Sequence, residues 1–138
     1  MLFSIIIPAY NAASSLPETL SSIYQQTYDG YEIILINDGS ADATESVCKV
    51  FCESHNNTHY VKQNNMGVYE ARRKGAEIST GDYLVFVDAD DSLRFDTLSI
   101  LAREIDKCNP DIICFSYTRN PDYSNDPFIN PALPSGIY

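Results

Sequence analysis

Tyr83-Leu84-Val85-Phe86-Val87-Asp88-Ala89-Asp90-Asp91-Ser92 is the stretch on which the reading of this chain turns. Its first five residues have high β-propensity and predict a strand buried on both faces, as strands of parallel sheets are. The run then ends in three carboxylates within four positions. Open parallel sheets bind ligands beyond the carboxyl ends of their strands, so a charged loop in this place is a candidate site.

Outward from this strand, apolar runs alternate with helical periodicity. Strands are predicted from Phe3 to Ile7, Tyr31 to Ile36, His59 to Lys62, Tyr83 to Val87 and Asp111 to Tyr117. Helices are predicted from Leu16 to Gln26, Ala43 to Glu53, Gly67 to Ile78 and Phe95 to Lys107. This βαβα rhythm implies an α/β fold, a mostly parallel sheet with helices on both faces. Ser15-Leu16-Pro17-Glu18 and Asp42-Ala43-Thr44-Glu45 have the pattern of capping boxes. Val68, Ala71, Gly75 and Ile78 share one helical face, and its small members let that helix lie close to the sheet.

Three segments follow predicted strands and gather on one edge: Pro8-Ala9-Tyr10-Asn11, Asn37-Asp38-Gly39-Ser40 and Asp88-Ala89-Asp90-Asp91. Carboxylates crowded there raise one another's pKa unless a cation sits among them. Mg²⁺ or Mn²⁺ suits such a place, because both prefer oxygen ligands and bridge carboxylates to a substrate diphosphate. The plainer reading has Asp91 or Ser92 capping the next helix. Asn37-Asp38-Gly39-Ser40 is equally open: a turn with positive φ at Gly39 and a cap at Ser40 or Asp42, or a site where Asp38 accepts from a bound base. Arg72-Arg73-Lys74 is the only basic cluster. Glu77 and Glu70 stand at i,i+4 to Arg73 and Lys74 and suit a solvated face, whereas Arg72 is nearer the buried stripe and is the anion-binding candidate.

The chain has 138 residues, 44% of them hydrophobic, enough for one compact core. A formal net charge of -10 disfavours nucleic acid as a partner. Cys48, Cys52, Cys108 and Cys114 form no C-x-x-C pair and imply a reducing compartment, with Cys114 packed inside a strand. Cys52, His55 and His59 match no zinc spacing. Met1 leads straight into a strand with no signal-peptide pattern, and no apolar run reaches membrane-spanning length, so a cytoplasmic protein is expected. From Asn120 onward Pro121, Pro127, Pro131 and Pro134 fall among Asn, Asp and Ser. The expected division is a binding domain over 1–119 and an irregular tail, or the start of an acceptor-side region, over 120–138.

Taken in order, SIIIPAYN, Gln26-Thr27-Tyr28, YEIILINDGSADAT and NMGVYEARRKGAEISTGDYLVFVDADDS resemble the family-two glycosyltransferases over residues 3 to about 106. The resemblance implies a GT-A fold, here an incomplete one, and a nucleotide-sugar donor carrying UDP. It implies that Pro8, Ala9 and Tyr10 line the nucleoside, that Asp38 accepts from the base and that Arg72 approaches the phosphates or ribose. Asp88 and Asp90 form the D-x-D motif, with Asp90 or Asp91 facing a Mn²⁺ or Mg²⁺ ion. The implied reaction is inverting transfer to the hydroxyl of a saccharide or lipid-linked acceptor, in cell-surface polysaccharide or glycoconjugate synthesis. It would take place in the cytoplasm or at the inner face of the cell membrane, with peripheral membrane association through regions outside this chain. The catalytic base is expected beyond residue 138. Asn37 in place of a first aspartate and Arg73 in place of an asparagine depart from the pattern of many relatives.

Other readings compete. Asp88-Ala89-Asp90 also fits the nucleophile and acid of a haloacid-dehalogenase-like phosphatase, but three strands precede it and Ser92 stands where Thr or Val is usual. A dinucleotide enzyme lacks its G-x-G-x-x-G after the first strand. A receiver domain lacks the lysine closing its fifth strand. A module that binds a nucleotide sugar without turning it over remains open.

Overall fold

The computed structural model describes residues 1–115. Strand β1 (Phe3–Ala9) and strand β2 (Tyr31–Asp38) are the apolar centre: all seven residues of β1 are buried, and in β2 only Tyr31 is less than fully so. Strands β3 (Thr58–Gln63) and β4 (Tyr83–Phe86) flank them, giving a parallel sheet of order β3-β2-β1-β4. Helices α1 (Leu16–Tyr24), α2 (Thr44–Ser54), α3 (Val68–Ile78) and α4 (Thr97–Cys108) complete the described elements, the first three in the crossovers between strands. The α/β architecture with helices on both faces is as the sequence predicts.

Strand alternation divides the core. Ile5, Ile7, Ile33 and Leu35 face α1, α2 and α4, meeting Leu20, Ile23, Cys48 and Leu98 in the larger cluster. Ile6, Ile34 and Ile36 face α3, where Ala71 joins them. Helix α3 can approach because Gly75 lies against Ile6: a Cβ at Gly75 would stand 2.4 Å from Ile6 Cγ2. Its predicted face is only half right, since Val68 and Ile78 are 52% and 36% exposed.

Gln26 and Thr27 lie beyond the end of α1 and fix the entry to α4. The Gln26 side chain donates to the Arg94 carbonyl at 2.7 Å and accepts from the Leu98 amide at 3.0 Å, and the Thr27 amide donates to the Phe95 carbonyl at 2.8 Å. Near the amino ends of β1 and β2, buried Glu32 accepts from the Ser4 hydroxyl at 2.6 Å, the Thr80 amide at 2.7 Å and the Thr80 hydroxyl at 3.0 Å, with His59 at 3.7 Å. This carboxylate ties the turn after α3 to β1. Burial pushes its pKa up, but the hydrogen bonds from Ser4 and Thr80 outweigh that and leave it below its ordinary value.

Several expectations need correction. Tyr83 to Val87 is not a strand covered on both faces: β4 is the sheet's outer strand among the described residues, and Leu84 and Phe86 are 42% and 47% exposed because α3 lies over β1 and β2 instead. Doubly covered burial belongs to β1 and β2. No strand forms over 111–115, where Ile112 and Phe115 are 78% and 49% exposed and Cys114 is exposed too. β-propensity expresses itself only against a paired edge, and this segment, though Ile113 packs against the larger core, has none within the described residues. Ser116 and Tyr117, like the predicted boundary at residues 119 and 120, lie outside them. Neither capping box forms.

Two outcomes follow from these contacts. Gly75→Ala lowers stability in urea unfolding by about 1–3 kcal/mol, although alanine is the better helix former, because the added methyl meets Ile6. Glu32 has a lowered folded-state pKa, so its contribution is complete above the ordinary carboxylate range and is lost as pH falls through the lowered value. Glu32→Gln therefore destabilises by about 1–3 kcal/mol at pH 7 and flattens the fall in stability as pH drops through the carboxylate range by roughly that amount, read from urea unfolding at a series of pH values.

Candidate functional site

The carboxyl ends of β1 and β4 and the start of α3 enclose a cleft of about 410 Å³. Pro8, Tyr10, Arg72, Asp88 and Asp90 line it, so five of the residues singled out in the sequence come together. Ala9 does not present a side chain to it, being 1% exposed and packed in the larger core. Asp38 and Asp91 stand outside its lining.

Register brings these loops to one level. Ala9 pairs with Asn37 and Asp38 with Gln63, so β1, β2 and β3 end together; β4 ends earlier, at Phe86 opposite Ile6, and the chain beyond it runs on to place Asp88 and Asp90 in the same cleft as Pro8 and Tyr10. The loop after β1 is then stitched to the loop after β2. Asn11 accepts from the Ala41 amide at 2.8 Å, and its own amide donates to Ser40 Oγ at 3.0 Å. The Ala12 amide donates to Thr44 Oγ1 at 2.8 Å and the Ala13 amide to Asp42 Oδ2 at 3.1 Å. Asn11 adopts φ 50°, a conformation that asparagine tolerates better than most residues. The sequence reading assigned Ser40 and Asp42 to local caps; their bonds across 29 residues were missed, and only Asn11 beside a tight turn signalled them. Gly39 has the expected positive φ, at 72°, and a Cβ there would stand 2.7 Å from the Asn65 nitrogen.

Asp38 has a task its sequence context concealed. Its carboxylate accepts from the Gln63 side chain at 2.8 Å, the Met66 amide at 2.9 Å and the Gly67 amide at 2.8 Å. Burial raises its pKa, and these three hydrogen bonds more than reverse the effect, so it titrates below its ordinary value. Asp38 thereby fixes the residue that opens α3, little more than a turn before Arg72. Oδ2 takes one of these bonds and keeps capacity for another donor.

Arg72 donates to Asp88 Oδ1 at 2.5 Å across the cleft floor, while its buried Nε has no partner among the described residues. A buried guanidinium nitrogen left unpaired is costly, and the same residue lines the cleft. Arg73 pairs instead with Glu70 and Glu77, the solvated role expected of it. The acidic loop is anchored to α1: Thr19 Oγ1 donates to the Ala89 carbonyl at 3.0 Å, and the Leu93 amide donates to Ser22 Oγ at 3.0 Å. The next helix begins at Thr97, so neither Asp91 nor Ser92 caps it.

Burial, then Asp90, then Asp88, raises the Asp91 pKa. A cation among these carboxylates would relieve that repulsion, and an all-oxygen set suits Mg²⁺ or Mn²⁺. Among the described residues no three His, Cys, Asp or Glu side chains converge closely enough to hold an ion alone. An ion placed there would need its remaining oxygen ligands from outside the described residues.

The family model for Glycosyl transferase family 2 matches residues 4–131, and the chain belongs to that family. It is 38% identical over 114 residues to glycosyltransferase GlyA of Streptococcus pneumoniae, covering 83% of this chain and 16% of that protein. It is 39% identical over 122 residues to glycosyltransferase YibD of Escherichia coli, covering 83% and 35%. This chain thus spans well under half the length of these relatives. Among solved structures, TarS 1-349 of S. aureus in complex with UDP-GlcNAc superposes with a TM-score of 0.76 at 28% identity, over 80% of this chain and 33% of that one. Mannosyltransferase PcManGT of Pyrobaculum calidifontis, in complex with GDP-Man and Mn²⁺, gives 0.75 at 26% identity, over 87% and 36%. The α/β sheet is therefore that of GT-A glycosyltransferases.

Replacing Asp38 with alanine leaves the Met66 and Gly67 amides without their acceptor. The expected result is faster hydrogen exchange at both amides and a loss of about 1–3 kcal/mol in urea unfolding. Asp38→Asn, which keeps one acceptor oxygen, gives the smaller change in both measurements.

Proposed function

We propose that this chain is the donor-binding part of a metal-assisted, inverting glycosyltransferase that uses a UDP-sugar. The observation that carries the reading is Arg72, paired with Asp88 at the floor of the cleft and holding a buried Nε with no partner among the described residues, beside an acidic loop. A diphosphate supplies the missing acceptor and, through a divalent cation, turns the neighbouring carboxylates from repulsive to useful. UDP-GlcNAc and GDP-Man with Mn²⁺ bound to structural neighbours support a nucleotide-diphosphate donor. Uracil is the base we assign, with Asp38 Oδ2 accepting its N–H and Pro8 and Tyr10 bordering the nucleoside.

On this reading each part of the site has a chemical task. Arg72 draws the phosphates to the floor, and Asp88 fixes its orientation. Asp90 and Asp91 hold Mn²⁺ or Mg²⁺, which when bound would offset the negative charge of the departing diphosphate. Inversion requires an acceptor hydroxyl, of a saccharide or lipid-linked glycan, at the opposite face of the sugar with a base in reach. We assign the base to a region beyond residue 138, in keeping with the small share of its relatives' length that this chain spans. Four unpaired cysteines suit a reducing compartment, and we place the reaction in the cytoplasm or at the inner face of the membrane. No described helix is long and apolar enough to cross a membrane. The phosphatase reading draws no support from these contacts, since Asp88, its nucleophile, is engaged by Arg72.

Calorimetry with UDP and Mn²⁺ tests the assignment. EDTA lowers UDP affinity at least about tenfold, and Arg72→Ala lowers it about ten- to a hundredfold, equivalent to about 1.5–3 kcal/mol. Asp90→Ala weakens UDP but leaves uridine nearly unchanged, because only the diphosphate engages the cation. Equal affinity with and without EDTA removes the metal from the proposal. Unchanged UDP binding by Arg72→Ala removes the phosphate assignment.

A further inference from the structure

Strand β4 ends at Phe86, and beyond Val87, whose amide donates to the Ile6 carbonyl at 3.1 Å, the chain leaves the sheet. From there to α4 it is laid along α1. Thr19 Oγ1 donates to the Ala89 carbonyl and the Leu93 amide donates to Ser22 Oγ, both at 3.0 Å, and Gln26 takes the Arg94 carbonyl and the Leu98 amide at 2.7 Å and 3.0 Å. Thr19 and Ser22 share one face of α1, and Gln26 continues the row just past the helix end. The Ser22 hydroxyl is itself committed to the Thr19 carbonyl at 2.7 Å, so its oxygen is left to accept from Leu93.

Asp90 and Asp91 fall between the first two of these bonds. Their turn is closed by the Asp91 amide on the Asp88 carbonyl at 3.0 Å. Both carboxylates are exposed, and neither makes a side-chain hydrogen bond or ion pair among the described residues. Their position is therefore set by the backbone that carries them, and α1 holds that backbone. Thr19 is 1% exposed and Ala89 9%, so water does not replace the bond between them when it is lost. Two like charges on a slack loop separate, and a cation that needs both must then draw them back at a cost in affinity.

We propose that Thr19 and Ser22 are positioning residues for the divalent cation: by holding the backbone on either side of Asp90 and Asp91, they preset the pair of carboxylates that receives it. This rests on the donor-site reading above and adds to it two residues that touch neither cation nor nucleotide. Groups standing behind a metal's own ligands change its affinity about 10–100-fold when removed. The other end of the cleft, bordered by Pro8 and Tyr10, depends on different bonds, those joining Asn11 to Ser40 and Ala41. Loss of the Thr19 hydroxyl therefore weakens the cation and leaves uridine as it was.

The test measures UDP affinity of the full chain by calorimetry across a Mn²⁺ titration, which gives a Mn²⁺ midpoint, and uridine affinity without metal. In Thr19→Val, which keeps the side-chain shape and removes the donor, the midpoint rises about tenfold while uridine affinity stays within about twofold. Thr19→Ser, which retains the hydroxyl, brings the midpoint back to within about threefold of the unaltered chain. Ser22→Ala raises it about three- to tenfold and carries the test if circular dichroism shows Thr19→Val unfolded. Hydrogen exchange at the Asp91 amide, read with no ligand present, quickens in both variants. The inference is overturned by an unmoved midpoint in the folded variant, by an equal loss of uridine affinity, by Thr19→Ser as weak as Thr19→Val, by unchanged Asp91 exchange, or by failure of both variants to fold. Each of these leaves the donor-site reading standing. If instead the unaltered chain binds UDP equally with and without Mn²⁺, that reading loses its metal and this inference falls with it.

Discussion

Burial of β1 on both faces is the constraint from which the rest of this structure follows. A strand with Ile5 and Ile7 on one side and Ile6 on the other cannot lie at an edge or face water, so helices must cover it from both directions. Each fully buried isoleucine contributes about 1.5–3 kcal/mol relative to exposure, and shifting the register by one residue would exchange the two sets. Parallel pairing to β2 and β4 then points the carboxyl ends of three strands the same way, so that the loops after β1 and β4 meet in one cleft. The cleft is a consequence of that alignment.

Polar groups convert the alignment into a shaped site. Asp38 collects the Gln63 side chain and the Met66 and Gly67 amides, which fixes where α3 begins and therefore where Arg72 reaches. Asn11, Ser40, Asp42 and Thr44 lock the first two loops together, while Thr19 and Ser22 of α1 hold the acidic loop from behind. Apart from the Gln63 contact, each of these bonds ends on a backbone group that the loops would otherwise leave unsatisfied. On the proposed reading the nucleotide enters a frame already set by these contacts, which reduces the ordering cost of binding.

The charge distribution fits the same picture. A chain of net charge -10 would repel a diphosphate, and on the proposed reading the cleft meets this with the Arg72 guanidinium, whose Nε is unpaired among the described residues, and a divalent cation at the acidic loop. Arg73, one residue away, is committed to Glu70 and Glu77 on the helix surface. Adjacent residues of one type thus have different tasks because α3 turns one toward β4 and the other toward solvent.

The sequence by itself determined the order and type of the elements from β1 to α4, the parallel α/β class, the loops after β1 and β4 that line the cleft, and the separation of Arg72 from Arg73. These were legible because apolar periodicity, Gly39 and the D-x-D run are local signals. Tertiary structure alone decided that β1 and not β4 is doubly buried, that Asp111 to Phe115 form no strand, and that Asp38 is a support for α3. It also decided that Ala9 faces the core and that Ser40 and Asp42 bond across loops and form no capping box. Each depends on partners distant in sequence: strand order fixes which strand is covered, and a carboxylate bonds to whichever amides the register brings to it. Propensity and spacing carry no information about which neighbours those will be.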